Sequence, residues 1–343
     1  MKKILATLLA AVLLLGATVA LAENIAILVP NADHGWTGAV LTYAEEKAAE
    51  INAAGTYSAR VIPASDPANQ IAQVEDIIAT ESDEAVVILP YDNTLEATLQ
   101  KLVAAEIPFV QFDRVIDAVA GDAIANVKGD NEGIGIESAK RFIAKGLQPG
   151  DPVLIIPGDN SSVPEMRNNG FFATLQENGW SDEQIAGIKS TAYTGWSRSE
   201  GRKLFEEWLE ASSVDEIAAT KYIFTHDDEI AMGILEALKG GAIDPAKKDA
   251  FLGGQVNLAT SSGLNEIYSV LKGIHQNDYT AEVSKLADLF SVTYDPAMIQ
   301  IAIQDIVDAN EDKEVPVDHV IPVSVVDASN VDQFRGFGDA FAK

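Results

Sequence analysis

Phe109-Val110-Gln111-Phe112-Asp113-Arg114 decides the fold of this chain. A short, mostly apolar run that ends abruptly in an acid and a base reads as a buried parallel strand with a charged carboxyl end. In an open α/β sheet, ligands sit in the crevice beyond such strand ends. Asp113 accepts hydrogen bonds and Arg114 donates a rigid fork of them, a pair suited to a neutral ligand rich in hydroxyls. The plain alternative is a salt bridge at the end of a strand.

The pattern repeats on both sides. Upstream, Asn24 to Val29, Ala59 to Ile62 and Ala85 to Pro90 read as strands, separated by helices over Thr37 to Asn52, from Asp66-Pro67 onward, and over Leu95 to Ala104. Strands alternating with helices across short connections demand a parallel sheet with helices on both faces. The alternation restarts after Asp130, with strands at Val153 to Ile156, Ile188 to Ala192, Tyr222 to Phe224 and Phe251-Leu252, and a helix between each pair. Farther on, Asn265 to Lys272 and Thr280 to Phe290 read as helical. The break at Ala125 to Asp130 has no run of proline, glycine or serine, so a stiff crossing between two α/β units is expected there.

The bulk numbers narrow the class. The chain has 343 residues, enough for two domains. Lys2 and Lys3, the apolar run Ile4 to Val19 and the small-residue box Ala20-Leu21-Ala22 read as a signal peptide, residues 1–22, cleaved after Ala22. Export is therefore expected. Without Lys2 and Lys3, the 24 basic side chains become 22 against 52 acidic ones, a net charge of −30. That surface repels nucleic acid and anionic lipid, and neither is expected as a partner. With 47% hydrophobic residues the chain is a solvated acidic globule, not a disordered one. The absence of cysteine excludes disulfides, thiolate metal sites, cysteine nucleophiles and a lipid-modified N-terminal cysteine, so no direct membrane insertion is expected.

The residues that follow the strands form one constellation. Asp33, His34 and Trp36 follow the first strand; Tyr91, Asp92 and Asn93 the third; Glu165, Trp196, Asp227 and Gln255 come from strand ends of the second unit. Flat aromatics stack on the apolar face of a sugar ring, while carboxylates and amides take its hydroxyls. Trp36 and Trp196, one from each unit, are placed to sandwich a ring, although ordinary packing would also account for either alone.

These stretches resemble the periplasmic sugar-binding proteins of ABC importers, in the ribose-binding group. That group shares its fold with the sugar-sensing domain of lactose-repressor-type regulators. The resemblance covers residues 24–335 and rests on Ile25 to Val29 through Gly35-Trp36, on Phe109 to Arg114, and on Ile223-Phe224-Thr225-His226-Asp227-Asp228-Glu229-Ile230-Ala231-Met232-Gly233, which is similar to the family's "aqNDemAlGa" run. Arg167-Asn168-Asn169-Gly170-Phe171 resembles its "R..GF" helix.

The resemblance implies an α/β fold of two doubly wound parallel-sheet lobes joined by three crossings, the type I periplasmic binding protein architecture. Residues 23–126 plus 295–319 would form one lobe, and 127–294 plus 320–343 the other. It places ligand contacts at Asp33 or His34, Trp36, Asp113, Arg114, Glu165, Trp196, Asp227, Gln255 and Tyr294. The sequence departs from the family pattern at four of these. Glu165 stands where an arginine is usual, Asp227 replaces asparagine, Gln255 replaces aspartate and Tyr294 replaces glutamine. One clear arginine argues against sugar acids and phosphates and for a neutral sugar, polyol or cyclitol. The implied protein is a monomeric periplasmic receptor that hands its ligand to an ABC permease; a receptor signalling to a chemoreceptor or sensor kinase is the alternative.

No enzyme signature competes. There is no nucleophile elbow, Walker loop or His-Glu-x-x-His pair. Asp113 and Glu165 could imitate a glycosidase pair, but in this family such acids bind hydroxyls. Gly133-Ile134-Gly135 lacks a dinucleotide fingerprint's third glycine and reads as close helix packing. No metal and no cofactor is expected: His34 and His226 beside Asp33 and Asp227 read as hydrogen-bonded pairs. A DNA-binding regulator is excluded by the leader and the charge.

Overall fold

The computed structural model describes residues 23–32, 35–160 and 162–338; the expected leader and the candidates Asp33 and His34 lie outside the described residues. The first apolar run forms β1 (Glu23–Pro30), followed by α1 (Gly35–Ala54), β2 (Tyr57–Ala64), α2 (Pro67–Thr80), β3 (Ala85–Ile88), α3 (Glu96–Ala104), β4 (Phe109–Phe112) and β5 (Ala125–Gly129). The chain continues with α4 (Asn131–Ala144), β6 (Val153–Ile156), α5 (Ser162–Glu177), α6 (Asp182–Ala186), β7 (Lys189–Ser190), α7 (Arg198–Ala211), α8 (Val214–Ala219), β8 (Tyr222–Thr225) and α9 (Asp228–Lys239). Last come α10 (Pro245–Gly253), β9 (Asn257–Thr260), α11 (Asn265–Leu271), α12 (Thr280–Val283), β10 (Asp288–Thr293), α13 (Ile299–Asn310), β11 (Asp318–Ile321) and β12 (Ser324–Asp327).

Two six-stranded sheets result, in the orders β11-β5-β4-β3-β1-β2 and β12-β10-β9-β8-β6-β7. Every pairing is parallel except β10 with β12. The central strands β3, β4, β6 and β8 are buried along their whole length, as expected of sheets covered on both faces. The chain passes between the sheets three times, after Gly129, after Thr293 and after Ile321. The first sheet therefore keeps residues up to 129 and 321, so the expected boundaries at 126 and 319 fall inside strands. α13 returns to the first lobe, packing on α1, β4 and β5.

Acids and hydroxyls at the strand ends start the helices. Asp66 accepts from Asn69 N at 2.8 Å, Asp130 from Gly133 N at 2.7 Å, and Ser197 from Glu200 N at 3.4 Å. The Gly133-Ile134-Gly135 run serves close packing. A Cβ at Gly135 would lie 1.9 Å from the Arg167 carbonyl oxygen, and one at Gly170 would lie 2.1 Å from that of Glu132, so α4 and α5 touch through their backbones.

Four local expectations change. Ala125 to Gly129 is a buried strand hydrogen-bonded between β4 and β11 rather than a bare crossing; its mixed sequence hides it. Phe251 and Leu252 belong to α10, which Asp244 caps and Pro245 starts, and the strand lies later, at Asn257–Thr260. Thr280 to Phe290 is one helical turn and then β10. The strand expected over Ile188 to Ala192 shortens to Lys189–Ser190.

Candidate functional site

The carboxyl ends of both sheets open on one cleft of about 330 Å³, within the range of small-molecule sites. The N-terminal lobe contributes Trp36 from the first turn of α1, Tyr91 from beyond β3, and Asp113 and Arg114 from the end of β4. The other lobe contributes Arg167 from α5, Trp196 from the loop before α7, Asp227 from the end of β8 and Ser262 from beyond β9. Tyr294 lies where the chain crosses back.

Three of these residues hold backbone conformations that L-amino acids rarely adopt: Asp113 at φ 60°, Trp196 at φ 62° and Ser262 at φ 131°. Strain of this kind persists only where the surrounding structure enforces it, and it gathers at ligand sites.

The aromatic groups are held from behind. Trp36 stacks on Phe112, with centroids 6.1 Å apart and planes 7° from parallel, and meets Tyr294 edge-on at 5.9 Å. The guanidinium of Arg167 lies 5.4 Å from the Trp196 ring centre. A Cβ at Gly158 would come within 2.2 Å of that ring, so only glycine leaves room for Trp196 where it stands.

One chain of polar groups, Arg167, Asn131, Tyr294 and Asp113, runs across the cleft. Arg167, 6% exposed, donates Nε to Asn131 Oδ1 at 3.0 Å and Nη1 to Ser261 Oγ at 2.9 Å and to the His226 carbonyl. Arg114 donates to the Tyr91 carbonyl. The Tyr294 hydroxyl lies 3.4 Å from Asp113 Oδ1 and 3.3 Å from Asn131 Oδ1, and its single proton serves one of them at a time. Burial, and then the Asp113 charge, raise the Tyr294 pKa, so it stays a neutral donor.

Burial also raises the pKa of Asp113, against the pull of Arg114, Arg167 and the Tyr294 hydrogen bond. Asp227 caps α9 by accepting from Glu229 N at 2.8 Å; burial and then the neighbouring Asp228 charge push its pKa up to about 8. Behind it, burial raises Asp228 as well, opposed by the Leu264 and Gly263 N–H groups and by Ser291, which bind its oxygens. His226 is buried, and burial together with Arg167 holds its pKa well below the usual value, so it is neutral near pH 7.

The structure thus gathers Trp36, Asp113, Arg114, Trp196, Asp227 and Tyr294 around one cavity. It does not gather Glu165 or Gln255. Glu165 is exposed on the first turn of α5. At about 100° per residue, Arg167 two positions later points the other way, into the cleft. The cleft therefore holds two arginines instead of one, and the charge argument against sugar acids weakens. Gln255 is exposed at the amino end of β9 and reaches only the Lys285 carbonyl, at 3.4 Å. The strand expected at Phe251-Leu252 had put it at the wrong end, and the residue that does follow the strand to the cleft is Ser262. Arg167 was within reach of the sequence, in the Arg167-to-Phe171 motif; Ser262 carried no such signal.

Among the described residues, no group of three or more His, Asp or Glu side chains is placed to hold a metal ion, and no helix is long and apolar enough to cross a membrane.

Two parallel α/β lobes, crossed three times by the chain and sharing a polar and aromatic cleft at their strand ends, define a two-lobed solute-binding protein. A family model described as a periplasmic binding protein domain matches residues 25–266, and the chain belongs to that family. The ribose import binding protein RbsB of Bacillus subtilis (strain 168) is 29% identical over 181 residues, a match spanning 52% of this chain and 54% of that protein, about half of each. An ABC transporter solute-binding protein from Bacillus halodurans C-125, solved with bound myo-inositol, superposes with a TM-score of 0.69 at 22% identity, covering 92% of this chain and 98% of that one. One from Mycobacterium smegmatis with bound glycerol gives 0.70 at 21% identity, covering 94% and 99%. At these identities the two structures share the fold.

Proposed function

We propose that this protein is the periplasmic solute-binding receptor of an ABC importer, taking one small polyhydroxylated molecule between its lobes and delivering it to a membrane permease. The observation that carries this reading is the composition of the cleft. Two tryptophans, one from each lobe, and hydrogen-bonding groups from both strand-end sets face a single cavity. Trp36 and Trp196 suit the apolar faces of a ring. Arg114 and Arg167 are donors, Asp227 in its protonated form both donates and accepts, and Tyr294 donates. Such a set matches hydroxyls, each of which gives one proton and takes others. Ligand contacts drawn from both lobes favour the closed form, so binding energy drives hinge closure. The relatives fit this chemistry: their names and titles give ribose, myo-inositol and glycerol, all neutral and polyhydroxylated.

A thermal-shift screen of the purified protein against D-ribose, D-allose, myo-inositol, glycerol, D-glucuronate and putrescine tests it. A ligand that binds only the native state raises Tm by mass action. A rise with one neutral sugar or polyol is the expected result. A rise with D-glucuronate alone would move the substrate class to sugar acids held by the two arginines. A rise with putrescine alone would make the acids counter-ions and refute the reading.

A further inference from the structure

Arg198 begins α7 two residues after Trp196 and makes no part of the cleft wall. Its guanidinium nevertheless reaches three glutamates on two other helices, α9 and α11. Nε donates to Glu229 Oε2 at 2.6 Å, Nη1 to Glu236 Oε1 at 3.2 Å and to Glu266 Oε1 at 3.1 Å, and Nη2 to Glu266 Oε2. Glu229 stands two residues after Asp227, on α9; Glu266 stands four after Ser262, on α11. One side chain therefore ties together the three loops of the C-terminal lobe that carry Trp196, Asp227 and Ser262.

The anchor points are built to stay put. Glu266 is 4% exposed, and His275, 2% exposed, lies with Nε2 3.1 Å from Glu266 Oε1. The His275 Nδ1 accepts from Asn277 N at 3.0 Å, which leaves Nε2 as the proton-bearing nitrogen that donates to Glu266. Burial works against the Arg198 charge, but hydrogen bonds to Glu266 and Glu229 raise its pKa overall, so the clamp is permanently charged. Bidentate guanidinium–carboxylate pairs fix orientation as well as distance. Trp196, at φ 62° after Gly195 at φ 60°, sits on a turn with little intrinsic preference for its shape.

We infer that Arg198 is a positioning residue, clamping the strand-end loops of the C-terminal lobe so that Trp196, Asp227 and Ser262 are held ready for the ligand. The inference rests on the reading of the cleft as a sugar or polyol site.

The test is Arg198→Lys, which keeps the positive charge among the three glutamates but cannot span them with one compact ammonium. Two readouts are taken, with Trp196→Ala and the double variant alongside. The first is amide hydrogen exchange of the ligand-free protein; the second is calorimetric Kd for whichever of the six screened compounds raises the wild-type Tm. Expected are faster exchange in all three loops with the N-terminal lobe unchanged, and a Kd raised on the order of tenfold. The Kd losses of Arg198→Lys and Trp196→Ala should also be strongly non-additive, because a misplaced ring and a missing ring cost the same contact. Unchanged exchange in the loops, or an unchanged Kd, or fully additive losses, would overturn the clamp. If none of the six compounds shifts the wild-type Tm, the site reading fails, and the exchange pattern alone then decides whether Arg198 ties the loops.

Discussion

Replacing Asp227 by Asn probes the electrostatics of the cleft with almost no change in shape. Asp227 accepts the Glu229 N–H at 2.8 Å as the N-cap of α9, and asparagine caps helices as well as aspartate does. What the substitution removes is a titrating group. Burial and the Asp228 charge push the Asp227 pKa from 3.8 up to about 8. In that window the native protein holds a proton that the unfolded chain has released, so stability falls with each unit of rising pH. The loss begins near pH 4 and is complete above about pH 8. The interval is about four units, which at about 1.36 kcal/mol each is an upper bound near 5–6 kcal/mol. Asp227 is only partly buried and lines the cleft, so solvent screening lowers this bound, to about 2–3 kcal/mol. Asp227→Asn should therefore be close to neutral at pH 4 and more stable than the wild type by about 2–3 kcal/mol at pH 8. Urea unfolding of both proteins at the two pH values measures the difference directly. A stability difference that does not change with pH, or a variant that loses ground as pH rises, would refute the assignment of a raised pKa to this carboxyl.

Two further outcomes follow from the same geometry. Asp113→Ala removes the acceptor beside the Tyr294 hydroxyl and at the strand end lining the cleft; calorimetry should show a loss of about 2–3 kcal/mol in binding, and unchanged affinity would remove Asp113 from the site. Gly158→Ala places a Cβ 2.2 Å from the Trp196 ring, so the ring must retreat by about 1.3 Å to reach ordinary carbon contact; affinity should fall at least tenfold while Tm moves little, and a variant that binds normally would show that Trp196 is not a ligand platform.

The alternation of buried runs and amphipathic helices was open to inspection in the sequence, because burial on both faces makes a strand mostly apolar along its length. Asn24 to Val29, Phe109 to Phe112, Val153 to Ile156 and Tyr222 to Phe224 all declare themselves that way. With them came the residues that directly follow a correctly placed strand, namely Trp36, Asp113, Arg114 and Asp227, since chain direction alone carries these to the cleft. Tyr294 came from the family pattern rather than from its spacing, and its place at a crossing is a product of the fold.

Tertiary structure decided what local pattern could not carry. β5 is a strand because β4 and β11 flank it, despite its mixed sequence Ala-Asn-Val-Lys-Gly. Phe251 and Leu252 are apolar because α10 buries them, and a two-residue apolar pair does not distinguish helix from strand; the error carried Gln255 to the wrong pole of the lobe. Glu165 and Arg167 are close in sequence but diverge around a helix that packs backbone-to-backbone on α4, at Gly135 against Arg167 and at Gly170 against Glu132. The three-way reach of Arg198 joins residues far apart in the chain, and only packing brings them together. Periodicity reports how much of an element is buried, whereas the site depends on which neighbour buries it.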